Sequence, residues 1–136
     1  MGAWGTGIFD DDTAMDFLNE LTDSKDPLKL MKSALEDARA TKYLEYDGGQ
    51  SALVASAITD AILNGTRHAV DLDELDTLVA KHKAADVLPL KSLAGAAVRQ
   101  VLSEGSELRE LWADNVDDYP KWRENLESLA RRLDSR

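Results

Sequence analysis

Gln50-Ser51-Ala52-Leu53-Val54-Ala55-Ser56-Ala57-Ile58-Thr59-Asp60-Ala61-Ile62-Leu63-Asn64, followed by Gly65, is the stretch that decides the fold class. Val54, Ile58, Ala61 and Ile62 recur at the three- and four-residue spacing that places side chains on one face of an α-helix. Leu53, Ala57 and Leu63 extend the apolar surface around the cylinder. A helix that is apolar over most of its circumference has neighbours on several sides, so this one is expected at the centre of a helical assembly. Gly65 supplies the stop, because glycine enters the left-handed region without a Cβ clash. Asp60 fits least well. It sits between the Leu53-Ala57 flank and Leu63, so in a central helix its carboxylate would be partly buried and would need a partner; surface exposure is the simpler reading.

Working outward toward the N-terminus, Asp26-Pro27 is a cap followed by proline at the first helical position, and Leu28, Met31, Leu35 and Ala38 then recur at helical period until about Thr41. Before it, Asp11 or Asp12 caps a helix over roughly residues 12–22, with Ala14, Phe17, Leu18 and Leu21 on one face. Tyr43 to Gly49 reads as a connection. Toward the C-terminus, Asp71 and Glu74 resemble a capping box, and Leu75, Leu78 and Val79 define a buried face on a helix that also carries His82 and Asp86. The next helix begins near Pro89 and runs through Leu90, Leu93, Ala94, Ala97, Val98, Val101 and Leu102. Its small cluster Ala94-Gly95-Ala96-Ala97 permits close approach, and Gly95 costs about 1 kcal/mol relative to Ala unless packing requires it. This helix is therefore expected to touch the central one. Ser106 caps a short helix with Leu108, Leu111 and Trp112. After Asp117-Asp118 the last helix shows Trp122, Leu126, Leu129 and Leu133 as one stripe and ends in Arg131, Arg132 and Arg136, which suit the negative end of the helix dipole.

Strict alternation is missing apart from weak hints near residues 43–46 and 68–72. The reading is an all-α, compact bundle of six to seven helices, a single domain over 1–136, with the Gly/aromatic N-terminal segment packed on the core. A length of 136 residues and 43% apolar content suit one core of ordinary size. The formal charge of −10 would repel nucleic-acid phosphates and anionic membranes, so neither is an expected partner. Residues 1–24 carry Asp10, Asp11, Asp12, Asp16, Glu20 and Asp23 and no Lys or Arg, so this acidic start is expected to lie near the basic last helix. The absence of cysteine removes disulfides and thiolate chemistry and suits a reducing compartment, which with no apolar run of about 20 residues and no signal-like N-terminus points to the cytoplasm.

Gly2, Gly5 and Gly7 precede a helix, which invites comparison with phosphate-binding loops. A dinucleotide loop follows a strand and a P-loop ends in Lys and Ser or Thr, whereas Asp10, Asp11 and Asp12 occupy this helix start. Trp4, Ile8 and Phe9 read instead as apolar anchors, with glycines letting the backbone bend over the core. Met1-Gly2 with Thr6 also meets the loose myristoylation pattern, without the basic second signal that stable anchoring needs. The whole run Met-Gly-Ala-Trp-Gly-Thr-Gly-Ile-Phe-Asp-Asp-Asp-Thr-Ala-Met-Asp-Phe, residues 1–17, resembles the opening of an uncharacterised, mainly bacterial family, domain of unknown function 4259. Its members begin Gly-Ala-Trp-Gly-x-Gly-x-Phe-x-x-Asp and continue into a helix bearing Ala and Asp-aromatic; the more usual Asn is Asp11 here. The resemblance implies no activity, cofactor or catalytic residue.

Three acidic groups could bind a divalent cation: Asp10, Asp11, Asp12 and Asp16; Asp71, Asp73, Glu74 and Asp76; Asp114, Asp117 and Asp118. None follows the calcium-loop pattern, and capping with dipole complementarity accounts for their positions at helix ends. His82 and Asp86, four apart, are too few ligands for zinc. No Ser lies in a nucleophile elbow, and two histidines leave little room for a Ser-His-Asp set. No catalytic residue, cofactor or metal is assigned, and the reading leans away from an enzyme. The expected function is a non-catalytic protein-interaction domain with an acidic surface, immunity-like or regulatory, whose partner is another protein of basic character. The alternative is an enzyme or metal-dependent binding domain with a functional surface at Trp4, Asp10, Asp12 and Asp16.

Overall fold

The computed structural model describes residues 5–68 and 72–134. Among them the elements are α1 (Asp12–Asp23), α2 (Pro27–Ala40), α3 (Tyr46–Asn64), α4 (Asp73–Lys81), the single turn α5 (Ala84–Val87) running into a 3₁₀ turn (Leu88–Leu90), α6 (Lys91–Leu102), α7 (Glu107–Ala113) and α8 (Tyr119–Asp134). The class is all-α, with seven helices longer than a turn among the described residues. An isolated β-bridge pairs Leu44 with Ser106. No described helix is long and apolar enough to cross a membrane.

α3 is the axis. Every side chain from Ala52 to Ala61 is buried, including Ser56, Thr59 and Asp60, and every other helix touches it. Gly65 closes it at φ 72°, donating its N–H to the Ala61 carbonyl. The polar members of this run bond within the bundle: Thr59 Oγ1 donates to Ala55 O at 2.8 Å, and Ser56 Oγ to Ala94 O at 3.3 Å on α6. The predicted contact between the central helix and the Ala-rich one is therefore present. Gly95, however, serves a different neighbour. A Cβ there would stand 3.0 Å from Asp134 Oδ1 and 3.6 Å from Leu133 Cβ, so its smallness admits α8.

Local signals set most helix starts as expected. Asp11 Oδ1 accepts from Ala14 N at 2.9 Å, Asp26 Oδ1 from Lys29 N at 3.2 Å, and Ser106 Oγ from Arg109 N at 3.3 Å. Two boundaries differ. α3 begins at Tyr46, four residues before the expected start, because Glu107 Oε1 accepts the Tyr46 N–H at 2.8 Å across 61 residues of sequence. Within that added turn Gly49 is required by packing, since a Cβ would lie 2.7 Å from Leu108 Cδ1. α4 ends at Lys81, so His82 and Asp86 do not share a helix. His82 is an extended C-cap whose Nδ1 lies 2.8 Å from Leu78 O, and Asp86 Oδ2 accepts from Lys83 N at 2.9 Å. Leu72 is the N-cap of α4 and makes no side-chain cap bond; Asp71 of the expected capping box lies outside the described residues.

The buried cluster runs from Phe9 through Leu18, Met31, Leu53, Ile58 and Val98 to Leu133. α8 joins it through the predicted stripe Trp122, Leu126, Leu129 and Leu133, with Trp122 stacked on Trp112 of α7 at 6.0 Å and on Tyr119 at 5.9 Å.

Candidate functional site

The glycine-rich N-terminal run does hold an anion, and the anion is its own. Gly7 N donates to Asp10 Oδ2 at 3.2 Å and Asp10 N to Gly7 O at 3.1 Å, closing a tight turn on the Asp10 side chain. A Cβ at Gly5 or Gly7 would stand 2.5 or 2.9 Å from that same carboxylate oxygen. With Asp10 folded inward, the loop offers its N–H to a side chain that an incoming phosphate would have to displace. Phe9 is buried and Ile8 packs on the core, as the anchor reading expects; Trp4 lies outside the described residues. Asp11 is the buried cap of α1 and also accepts a hydrogen bond from the Tyr46 hydroxyl. Asp12 and Asp16 are exposed on α1. Among the described residues, no group of three or more His, Asp or Glu side chains gathers where it could hold a metal ion.

The acidic start and the basic last helix do meet, through a neutral contact. Asn125 Nδ2 of α8 donates to Thr6 O at 3.2 Å. On that helix Arg131 pairs with Glu124 at 3.2 Å and Arg132 with Asp60 at 2.9 Å.

Asp60 is where the unexpected chemistry lies. Its carboxylate is fully buried on α3. Asn64 Nδ2 donates to Oδ1 at 2.7 Å, one turn along the same helix, and Arg132 Nε reaches Oδ2 at 2.9 Å from α8. His68 Nε2 stands 3.1 Å from Oδ2, close enough for an ion pair but not aligned as a hydrogen bond, and the imidazole is itself 92% buried (8% exposed). Its ring meets Phe9 edge-on at a centroid distance of 6.4 Å. The backbone of His68 lies in the left-handed region at φ 55°, uncommon for a non-glycine residue and a conformation that the surrounding packing must hold. Burial by itself raises the Asp60 pKa, but the contacts from His68, Asn64 and Arg132, with the positive charge of Arg132, outweigh it and hold the group at about 2, below the ordinary 3.8.

The lowered value fixes a pH window. A carboxylate with the lower pKa in the folded state contributes stability that is fully present above its unfolded value of 3.8 and is lost as pH falls toward 2. The difference is worth about 2 kcal/mol. The urea midpoint is expected to decline between about pH 4 and pH 2, and the Asp60→Asn variant to lack that part of the decline. An acid profile identical in variant and parent would remove Asp60 as its source.

A second feature lies toward the other end of α3. α1, α2 and the start of α3 enclose a groove of about 290 Å³ lined by Phe17, Leu30 and Ala34 and by three carboxylates, Glu20 from α1, Asp37 from α2 and Asp47 from α3. None of the three makes a hydrogen bond or ion pair with a described residue, and among the described residues no basic side chain lines the groove. The model of the family described as "Domain of unknown function (DUF4259)" matches residues 2–125. The chain belongs to the DUF4259 family. No curated protein and no solved structure matches it.

In this DUF4259 domain the match reaches from the N-terminal run across the groove and Asp60 to Asn125, and stops before Arg132. The sequence favours surface exposure for Asp60, and its full burial overturns that reading; Asn64, one turn along α3, is within reach of helical spacing, but His68 in a loop and Arg132, 72 residues away on α8, are not. Glu20, Asp37 and Asp47 carried no local signal, because one acid on each of three helices becomes a set only when the helices pack.

Proposed function

We propose that this domain is a non-catalytic, cytoplasmic protein-interaction module, immunity-like or regulatory, that receives a basic segment of its partner protein in the groove between α1, α2 and α3. The observation that carries the reading is the set of three unpaired carboxylates held by three different helices around an apolar floor of Phe17 and Leu30. Three carboxylates lining one groove with no described cation beside them leave a local negative potential that a cationic partner would neutralise. An Arg or Lys side chain matches both parts of the groove, laying its aliphatic stem on the floor and its charged head among the carboxylates. The overall charge of −10 adds long-range attraction for such a partner. The alternative, an enzyme or metal-dependent site at Trp4, Asp10, Asp12 and Asp16, has less behind it, since Asp10 is engaged by Gly7 and Asp12 and Asp16 stand exposed.

The test is an amide NMR titration with a short Arg/Leu peptide, using its Glu/Leu counterpart as control. Saturable shifts at residues of the groove are expected with the Arg peptide, weakening as salt rises. They should be lost in the triple variant Glu20→Gln, Asp37→Asn, Asp47→Asn, whose thermal stability should stay near the parent's because none of the three side chains bonds to a described residue. Shifts spread over every acidic helix end, or unchanged in the triple variant, would sink the groove as the docking site.

A further inference from the structure

We infer that the cleft above Asp60 is a binding site for a small oxyanion, a carboxylate or phosphate group, distinct from the acidic groove and independent of it. The cleft has a volume of about 380 Å³ and is bounded by Gly7 and Ile8 of the N-terminal segment, Thr66 and His68 after α3, and Asn125 and Arg132 of α8. Among the described residues no acidic side chain lines it, although the chain as a whole is strongly acidic. The two titratable side chains among its described lining residues, His68 and Arg132, are both basic. Asp60, beneath it, is sealed from solvent, with its oxygens engaged by Asn64 and Arg132, and two further carboxylates are occupied by lining residues, Asp10 by the Gly7 N–H and Glu124 by the Ser128 hydroxyl.

Asp60 acts here as a positioning residue. By holding Arg132 at Nε it fixes the plane of a guanidinium that lines the cleft, and by its charge it holds His68 at 3.1 Å. The imidazole is the independent sign of a ligand. It is 92% buried, its Nε2 has no aligned hydrogen-bond partner, and its Nδ1 bonds to no described residue. A buried ring nitrogen without an aligned hydrogen bond carries a desolvation cost that a bound hydrogen-bonding group would offset. The left-handed backbone at His68 is a further cost accepted at this position, and such strain gathers at ligand sites. The Thr66 hydroxyl makes no hydrogen bond to a described residue, so it adds a donor on the same wall. On the opposite side the Asn125–Thr6 bond holds the N-terminal segment in place as the third wall, where Ile8 supplies an apolar surface for whatever the oxyanion is attached to.

Inorganic phosphate and acetate, titrated separately into the full chain at pH 6 and followed by amide NMR against sodium chloride of equal ionic strength, test the site and tell the two oxyanion classes apart. At least one of the two is expected to give saturable shifts at Gly7, Thr66, His68 and Asn125 in the millimolar range. Affinity should fall at least fivefold in His68→Asn, a residue that tolerates the left-handed backbone, and in Thr66→Val, whose melting temperature should stay near the parent's. Shifts that follow chloride, fail to saturate, or persist unchanged in Thr66→Val and His68→Asn would overturn the proposal.

Discussion

Replacing Asp60 with alanine is expected to destabilise the fold by about 3 kcal/mol, with the urea midpoint lowered and the slope unchanged. The loss has two parts. Arg132, at 36% side-chain exposure, can recover some hydration once its partner is gone, but His68 and the interior around α3 cannot. The carboxylate accepts from Asn64 and Arg132 and faces His68, so one truncation strands several donors. Arg132→Met should cost a similar amount for the reciprocal reason, since a fully buried carboxylate loses its permanent cation. The double variant Asp60→Ala, Arg132→Met is the control. It removes the stranded charge while keeping the aliphatic stem, and should recover part of the loss, giving a coupling energy of at least about 1 kcal/mol. Strictly additive single effects would show that the two residues do not act as a pair.

Trp122→Ala is expected to cost more, about 3–5 kcal/mol. Trp122 is buried on α8, stacks on Trp112 with rings 14° from parallel, and bridges α7 to the α8 stripe. Removing it opens a cavity against Trp112 and Tyr119, which the rigid helices around it fill only partly. Trp122→Phe keeps an aromatic face and should lose far less. Chemical denaturation followed by circular dichroism reads both variants. A Trp122→Ala loss under about 1.5 kcal/mol would mean that α8 is held chiefly by Leu126, Leu129 and Leu133.

The two variants separate what was legible in the sequence from what was not. Trp122 belongs to a stripe readable at sight, because positions three and four apart share a helix face whatever the rest of the chain does. Asp60 was readable only as an anomaly. The difference lies in range: a burial pattern repeats along one helix, whereas the partners of a buried charge come from wherever packing brings them. The same contrast explains α3. Its C-terminal stop was plain, because Gly65 acts on its own backbone. Its N-terminal turn was read as connection, because Gly48 and Gly49 are poor helix formers, yet Glu107 caps that turn and Leu108 occupies the space a side chain at Gly49 would need. A long-range cap and a close contact together override a local preference.

His82 and Asp86 failed in the opposite direction. Their spacing suggested one helix face, but the chain turns extended at His82, where the side chain and N–H bond back to the end of α4. Gly5 and Gly7 serve local geometry, and the group they accommodate, the Asp10 carboxylate, could be seen only in three dimensions.

By itself, then, the sequence determined the all-α class, the central place of residues 50–64, most helix caps and the family, because each rests on interactions within a few residues or on a contiguous signature. Only the tertiary structure decided that Asp60 is a buried anion held by His68, Asn64 and Arg132, that Glu20, Asp37 and Asp47 share one groove, and that the basic cleft lies toward the other end of α3. Those arrangements depend on how helices distant in sequence cross, and the free energy of such crossings is set by the packing of the whole core rather than by any segment of the chain.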